Sequence, residues 1–358
     1  MKVIRRDTRK RKGWFLKEAG LKIARALILI SVILFVLSPA TLFAQKLTRL
    51  VVGYSSISSS FLPLWIGKET GIFSKNGLDV QMVFFTTGTT SVMALLSGDS
   101  PISHTAGSGI VNSRLGGSDG VMIVGGTVTL DWWLMSRPEV KTAAQLKGGK
   151  VAVSTFGSSS DFVARFALQK MGLVPDKDVI LVQAGSPITR QAAMETGQVQ
   201  ATVHVHPSTF VAQKKGFNVL ADVAALGLAY QHTGVATTRK YAREHPDIVR
   251  AYVKSQVETV HRLKTDRETG IRVLAKYMGG LKDREILEKT YDLAVADNML
   301  SRKQYPTLDG IKTILDGFAE KDPRARNAKP EDFADMRFIR ELDQSGFIDS
   351  LYSGKADR

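Results

Sequence analysis

The sequence predicts an α/β protein of two globular units, each a mostly parallel sheet flanked by helices. Short apolar runs alternate with amphipathic stretches along most of the chain, which is the pattern of parallel sheets covered on both faces. A second set of the same elements begins near Val151. The 358 residues, of which 44% are hydrophobic, are enough for two such units.

Each predicted element has a local signal. In the first set, strands are predicted at 50–54, 80–85, 102–105 and 121–125, with helices at 63–70 and 91–97. Gly71 and Gly98 end these helices. Two further strands, 132–137 and 235–238, are predicted to cross between the two sets. Beyond Pro246 the pattern turns helical, at 248–263, 268–278, 283–293, 308–318 and 330–343.

Residues 147–183 form the most informative stretch. They read as a strand at 151–153, a Gly/Ser-rich turn, a helix at 159–171 and a strand at 179–182. In α/β sheets, ligands bind beyond the carboxyl ends of strands, where helix N-terminal amides converge. The turn supplies that place with Ser154, Thr155, Gly157, Ser158, Ser159 and Ser160. Similar turns, 55–60 and 86–90, follow two strands of the first set.

Hydroxyls at helix N-termini suit an anionic oxygen cluster such as a carboxylate or a sulfonate. The unpaired N–H groups and the helix dipole meet there. Ser, Thr and Asp are also ordinary helix caps, so each turn taken alone has a purely structural alternative. Several such turns at one sheet edge favour a ligand site.

The N-terminal segment predicts export. Residues 1–25 carry ten Lys or Arg residues, and an uncharged, largely apolar stretch follows at 26–37. This stretch is too short to span a bilayer and suits the core of a signal peptide. We expect a signal peptide over 1–44, cleaved after Ala44 or Ala40; the alternative is an uncleaved anchor. The remaining positive charge is spread along the chain, so no nucleic-acid partner is predicted.

The chain contains no cysteine. This excludes a lipid-anchored lipoprotein, a disulfide framework, thiol catalysis and a cysteine-ligated metal. Enzyme motifs are also scarce, since no Walker sequence, HExxH or nucleophile elbow occurs and Gly107-Ser108-Gly109 lacks the third glycine of a dinucleotide fingerprint. We therefore expect a freely diffusing periplasmic protein that is not an enzyme and carries no cofactor or metal.

Four segments, in order, resemble a known family: FLPLWIGKETGIFSKNGLDV (61–80), GTTSVMALLSGD (88–99), AAQLKGGKVAVSTFGSSSDFVARFALQKMGL (143–173) and AMETGQVQATV (193–203). Their order and spacing are similar to those of the periplasmic solute-binding proteins of ABC importers. The branch is the one for nitrate, sulfonates, taurine and thiamine-precursor pyrimidines. Eukaryotic pyrimidine synthases related to this branch depend on a cysteine-rich motif, which this chain lacks.

The resemblance implies a type II periplasmic binding protein fold, with two lobes joined by two crossing strands and the ligand in the cleft. It implies a first lobe at 45–132, a second lobe at 133–231 and a return to the first lobe at 232–358. It also implies a monomer that binds a small molecule and meets ABC permease subunits in the inner membrane. The cleft residues carried over from the family are Ser55, Ser56, Gly88, Thr89, Thr90, Thr105, Ser158 and Ser159.

Three further residue types are candidates for the cleft. Trp132, near the lobe crossing, could stack on a ligand, although hinge packing is the alternative for it and for Trp133. His204 and His206 are two residues apart on a strand, so both face the same side and could contact a ligand; a metal would need His232 or Asp131 as a third ligand. Arg190, at a helix start, is better placed to clamp an acid group than Arg165, which lies within a helix.

The sequence thus predicts the exported substrate-binding component of an ABC importer. Its ligand is expected to be a small organic molecule, either an anion such as a sulfonate or carboxylate, or a pyrimidine. The two lobes would close on that ligand by a hinge. A sensor or an enzyme on the same two-lobe scaffold is the alternative.

Overall fold

The computed structural model describes residues 46–226, 228–319 and 322–353. The chain divides into a first unit, Met1–Lys46, and a second unit, Leu47–Arg358, which contains all the elements described below. The predicted signal peptide, 1–44, lies outside the described residues. Within the described ranges, no helix has both the length and the apolar character needed to cross a bilayer.

Ten strands form two five-stranded sheets in the described part of the chain. They are β1 Thr48–Tyr54, β2 Leu78–Phe84, β3 Ile102–Ala106, β4 Gly120–Gly125, β5 Trp132–Ser136, β6 Lys150–Val153, β7 Ile180–Gln183, β8 Ala201–Val205, β9 Asn218–Asp222 and β10 Thr233–Thr238. The first sheet has the order β2-β1-β3-β10-β4, and the second has the order β7-β6-β8-β5-β9. We call the two sheets with their helices the first and second lobes.

The helices follow the strands in the alternation that the sequence predicts. They are α1 Leu62–Glu69, α2 Ile72–Lys75, α3 Gly88–Ser97, α4 Gly107–Leu115, α5 Ser159–Lys170, α6 Pro187–Glu195, α7 Ser208–Lys214, α8 Arg239–Glu244, α9 Pro246–Thr265, α10 Arg267–Tyr277, α11 Arg284–Val295, α12 Leu308–Phe318, α13 Pro323–Asn327, α14 Arg337–Gln344 and α15 Phe347–Tyr352. Short 3₁₀ turns occupy Ser59–Phe61, Ala143–Leu146, Ala224–Leu226 and Pro330–Phe333.

Each sheet is mostly parallel, with one antiparallel strand in the fourth position. In the first sheet that strand is β10, which runs antiparallel to β3 and β4. In the second sheet it is β5, which runs antiparallel to β8 and β9. These are the two predicted crossing strands, and each lies in the sheet that the chain has just entered. This arrangement confirms the two-lobe α/β fold.

Two chain segments connect the sheets, 126–131 and 223–232. They run alongside each other in opposite directions, since Thr129 bridges Ala229 and the His232 amide donates to the Thr127 carbonyl at 3.0 Å. We call this pair of segments the hinge.

Each sheet has its own apolar core. Leu50, Val52 and Trp65 are buried in the first lobe's core, and Val151 and Val203 in that of the second lobe. Helix α12 supplies Ile311, Ile314 and Leu315 to the second core, although it follows the last strand of the first sheet. The predicted boundaries of 45–132, 133–231 and 232–358 remain predictions.

The predicted helix over 330–343 is wrong in its first half. The segment forms a 3₁₀ turn at Pro330–Phe333, an extended break, and then α14. In the break, Ala334 pairs with Met122 at the edge of β4, and the Asp335 amide donates to the Met122 carbonyl at 2.8 Å. Because β4 is an edge strand with unpaired carbonyls, this pairing competes with local helix formation.

A candidate anion-binding cleft between the lobes

A cavity of about 60 Å³ lies between the carboxyl edges of the two sheets. Both lobes and the hinge contribute to its lining. The lining residues are Ser55, Ser56, Ser58, Phe61, Thr86, Thr87, Gly88, Ala106, Trp132, Ser154, Ser158, Ser159, Ser160, Gly185, Pro187, Arg190, Val205, His232 and Thr233. This lining contains no carboxylate, and Arg190 and His232 are its titratable groups.

Three helix N-termini meet at the cavity. Helix α3 begins after Thr87, α5 after Ser158 and α6 after Ser186, and in each case the cap hydroxyl accepts a hydrogen bond from an amide three residues on. Each helix has at least two turns, so its unpaired N–H groups carry a partial positive charge. Three positive ends around one cavity without a carboxylate favour an anion.

The turn after β6 is held by a cluster of serine hydroxyls. Ser154 Oγ donates to Ser158 Oγ at 2.8 Å, and Ser160 Oγ lies 2.9 Å from Ser154 Oγ and 3.0 Å from Ser158 Oγ. Ser160 Oγ also accepts from the Ser154 amide at 2.8 Å. Ser158 Oγ in turn donates to the Thr155 carbonyl at 2.7 Å, so the hydroxyl protons of the cluster are used within the turn. The cluster therefore fixes the shape of the turn at the N-terminus of α5.

Arg190 is the decisive residue of the lining. Its side chain is 1% exposed, yet among the described residues no carboxylate lies within ion-pair distance of its guanidinium. Nε donates to Thr202 Oγ1 at 3.2 Å, Nη1 to the Gly185 carbonyl at 2.9 Å and Nη2 to the Val203 carbonyl at 3.1 Å. Burial lowers the pKa of Arg190 to about 10, so the group stays charged at neutral pH.

A buried charge without a partner is costly, and neutral carbonyls compensate it only in part. A guanidinium has five N–H donors, of which three are used here. An anion in the cavity would supply both the missing charge and acceptors for the remaining donors. Arg165, in contrast, is neutralised by Asp161, with Nε 2.8 Å from Oδ1.

The hinge side of the cavity is aromatic. Trp132 and His232 both line it, with ring centroids 5.3 Å apart, and Phe61 joins them. Trp132 Nε1 donates to His232 Nε2 at 2.9 Å. Behind them lies the buried carboxylate of Asp131; burial disfavours its ionisation, but His232 and His206 lower its pKa below the ordinary value.

Direct bonds join the two lobes around the cavity. Thr89 Oγ1 lies 2.8 Å from Thr155 Oγ1, and the Ser59 amide donates to the His206 carbonyl at 3.2 Å. A third contact joins two helices, with Ser108 Oγ 3.0 Å from Ser159 Oγ. The structure is therefore a closed arrangement of the lobes.

Some of the predicted cleft residues line the cavity and others do not. Seven of them line the cavity: Ser55, Ser56, Gly88, Trp132, Ser158, Ser159 and Arg190. Thr89 and Gly157 instead line an adjoining hollow of about 120 Å³. Thr90 is exposed and donates to the Thr87 carbonyl, and Thr105 is fully buried in β3. His204 is fully buried and its Nε2 lies 2.9 Å from Gln191 Oε1.

Several lining residues were not among the predicted ones. Ser154 and Ser160 belong to the turn that was singled out, and Gly185 and Pro187 begin the helix that carries Arg190. Phe61, Val205 and Thr233 carry no local signal of a site. From the sequence, His232 is a candidate only as a third metal ligand, whereas the structure places it in the aromatic wall.

Comparison with known proteins agrees with this architecture. The sequence profile of the family described as "NMT1/THI5 like" matches residues 58–260, which is more than half of the chain. This chain belongs to the NMT1/THI5-like family. Its matched region includes most of the cleft lining and both hinge segments.

A sequence relative of this NMT1/THI5-like chain is YtlA of Bacillus subtilis, by its name a candidate binding protein. The two are 23% identical over 216 residues, which is 59% of this chain and 65% of YtlA. The match thus spans less than two thirds of the relative's length.

Two solved structures share the fold of this NMT1/THI5-like chain. The alkanesulfonate-binding protein SsuA of Xanthomonas axonopodis, bound to MOPS, has a TM-score of 0.64 and 20% identity, covering 79% of this chain and 95% of its own. The nitrate-binding protein NrtA of Synechocystis has a TM-score of 0.70 and 16% identity, covering 84% and 89%. At these identities the likeness concerns the fold alone.

Proposed function

We propose that this protein is the solute-binding component of an ABC importer and that it binds a small organic anion between its lobes. The observation that carries the proposal is Arg190, a buried guanidinium in the cleft with no carboxylate partner among the described residues. The names of the two fold neighbours, one an alkanesulfonate-binding and one a nitrate-binding protein, support an anionic ligand.

The cavity sets the size of the ligand in the closed arrangement. An interior cavity of about 150 Å³ accommodates benzene, whereas the cleft encloses about 60 Å³. Anions smaller than a pyrimidine ring, such as propionate or methanesulfonate, suit this space better than that ring does. Micromolar affinity needs about 8 kcal/mol, which charge-assisted bonds from Arg190 and donors at three helix ends can supply.

Closure follows from where the ligand would make its contacts. Arg190 and the serine cluster belong to the second lobe, while Ser55, Ser56 and Gly88 belong to the first. A ligand that touches both sets favours the closed form by its differential affinity for it. The closed, loaded protein would then meet the permease, after export to the periplasm under the direction of residues 1–44.

The test is a binding screen on protein that begins at residue 45. Propionate and methanesulfonate should raise the melting temperature, while propionamide, the neutral counterpart of propionate, should not. At a ligand concentration of about 100 times Kd, the stabilisation should be about 2.7 kcal/mol. Equal stabilisation by propionate and propionamide would contradict an anion site, and conversion of a bound ligand to product would favour the enzyme alternative.

A further inference from the structure

Three side chains at the hinge form a continuous chain that ends in the cleft. Asp131 Oδ1 lies 2.8 Å from His232 Nδ1, and His232 Nε2 accepts the indole N–H of Trp132 at 2.9 Å. All three are buried, with exposures of 4%, 4% and 7%. We call them the hinge relay.

The chemistry of the three groups fixes where the protons lie. An indole nitrogen is a donor only, so His232 Nε2 must be the unprotonated nitrogen of the ring. A neutral imidazole then carries its proton on Nδ1, the atom that faces the Asp131 carboxylate. The aspartate therefore selects the histidine tautomer that accepts from Trp132, as carboxylates do for metal-binding histidines.

The relay also links the two hinge segments. Asp131 and Trp132 end the first segment and begin β5, while His232 ends the second segment. Trp132 and His232 line the cleft, whereas Asp131 lines a separate hollow of about 10 Å³ with Ser60 and Thr127. Asp131 thus acts on the cleft through His232 and not by touching a ligand.

The consequence for binding concerns hydrogen bonds at the hinge wall. The indole N–H donates to His232 Nε2, and His232 Nδ1 faces the Asp131 carboxylate at 2.8 Å in a close polar contact that lacks hydrogen-bond geometry, so this wall offers a ligand only ring surface. A ligand hydroxyl or ammonium facing it would lose its water without gaining a partner. Recognition of the anionic head is left to Arg190 and the helix N-termini.

We propose that Asp131 is a positioning residue that, through His232, holds the Trp132 indole in place, so that the cleft selects anions whose tail is apolar. This inference rests on the proposed function and deepens it, since it names the class of ligand body. Short alkyl anions fit, and anions of the same size with a hydroxyl or amine on the tail do not.

The first arm of the test needs no ligand. ¹⁵N NMR of the protein from residue 45 onward should show His232 as the Nδ1–H tautomer and Trp132 Nε1–H protected from exchange with water. Asp131→Leu should shift the tautomer and expose the indole proton. Finding Nε2–H in the unsubstituted protein, or the same spectrum in Asp131→Leu, would overturn the relay.

The second arm measures selectivity with two probes of equal size, propionate and glycolate, which differ by a methyl group against a hydroxyl. The unsubstituted protein should prefer the alkyl probe by about tenfold, and Asp131→Leu should narrow the ratio to about twofold. If Asp131→Leu folds poorly, His232→Phe is the second variant: it removes the acceptor of the Trp132 indole N–H and should narrow the ratio as well. An unchanged ratio in both variants would refute the positioning role.

The two arms distinguish a failure of this inference from a failure of the proposed function. If neither probe binds the unsubstituted protein, the proposed function is contradicted, and the NMR arm still decides whether Asp131 positions Trp132. If both probes bind equally well while the relay is intact, the anion site stands and the selection of apolar tails is refuted.

Discussion

Ser108 Oγ and Ser159 Oγ meet at 3.0 Å, and this contact joins helix α4 of the first lobe to helix α5 of the second. Both side chains are buried, at 0% and 5% exposure. Because the two helices follow strands of different sheets, an opening that separates the lobes at this point would break the contact.

Ser108→Ala should weaken ligand binding although Ser108 does not line the main cavity. The loss of one buried hydrogen bond costs about 0.5–1.5 kcal/mol of the closed form, which corresponds to an affinity loss of about two- to tenfold. Calorimetric titration with the best anion measures it. Ser113→Ala is the matched control, since Ser113 lies on the same helix and bonds the Ile110 carbonyl at 3.0 Å. Equal affinities in the two variants would contradict a role in closure.

A second inter-lobe contact should make binding depend on salt. Lys214 Nζ lies 2.6 Å from Asp283 Oδ2 and 3.2 Å from Glu285 Oε2, with Lys214 on the second lobe and the acids at the start of α11. Exposed ion pairs are weak and screened, so Lys214→Met should cost a few-fold in affinity at low salt and nothing at high salt. Lys215→Met is the control, because Lys215 pairs with Glu195 within one lobe. The same salt dependence in both variants would count against the inter-lobe role.

Gly310→Ala should destabilise the protein through the hinge. A Cβ at Gly310 would lie 2.4 Å from the Gln231 amide nitrogen and 2.6 Å from the Tyr230 carbonyl carbon, and neither backbone atom can move without moving the hinge. We expect a loss of about 1–3 kcal/mol in the free energy of unfolding, measured by urea denaturation. Gly120→Ala, where the nearest atoms are 3.6 Å away, should change little. Comparable losses would show that the close approach is not the cause.

Buried histidines should make the protein less stable in mild acid. Burial lowers the pKa of His104 from 6.5 to about 3, while its Nε2 stays 2.7 Å from the Tyr252 hydroxyl. Between these values the unfolded chain binds a proton that the folded chain does not, so stability falls as pH falls through the window. The slope is at most about 1.4 kcal/mol per pH unit for one histidine.

His104→Gln tests this slope while retaining a group that can pair with Tyr252. Urea denaturation between about pH 6.5 and about pH 4 should give a shallower pH dependence for the variant than for the unsubstituted protein. Parallel curves would mean that His104 is protonated in the folded state or that other groups dominate the pH dependence.

The sequence could predict the elements that depend on local chemistry. The serine-rich turn after β6 caps α5 as expected, because Ser158 is an ordinary cap and α5 buries the apolar residues Val163, Ala167 and Leu168. Arg190 could be placed near the cleft because it follows a Gly-Ser-Pro helix start. The burial of Arg190 without a carboxylate depends on contacts with Thr202 and Val203 of strand β8. These contacts could not be predicted from the sequence.

Features that depend on strand register could not be predicted from the sequence for the same reason. His204 and Thr105 both lie near the carboxyl ends of their strands, but register and packing bury them away from the main cavity lining. Asp131 and His232 are about 100 residues apart, and only the pairing of the two hinge segments brings them together. The break in the predicted helix at 330–343 likewise results from pairing with a distant edge strand.

The most direct test of the account is the affinity of Arg190→Met for the best anion, measured by calorimetry beside Arg165→Met. Arg165 is already paired with Asp161, so its removal should leave affinity within about twofold. Removal of Arg190 should weaken binding by at least about tenfold, the value of a charged hydrogen bond. If Arg190→Met binds the anion as tightly as Arg165→Met does, the cleft is not the anion site that its unpaired guanidinium indicates.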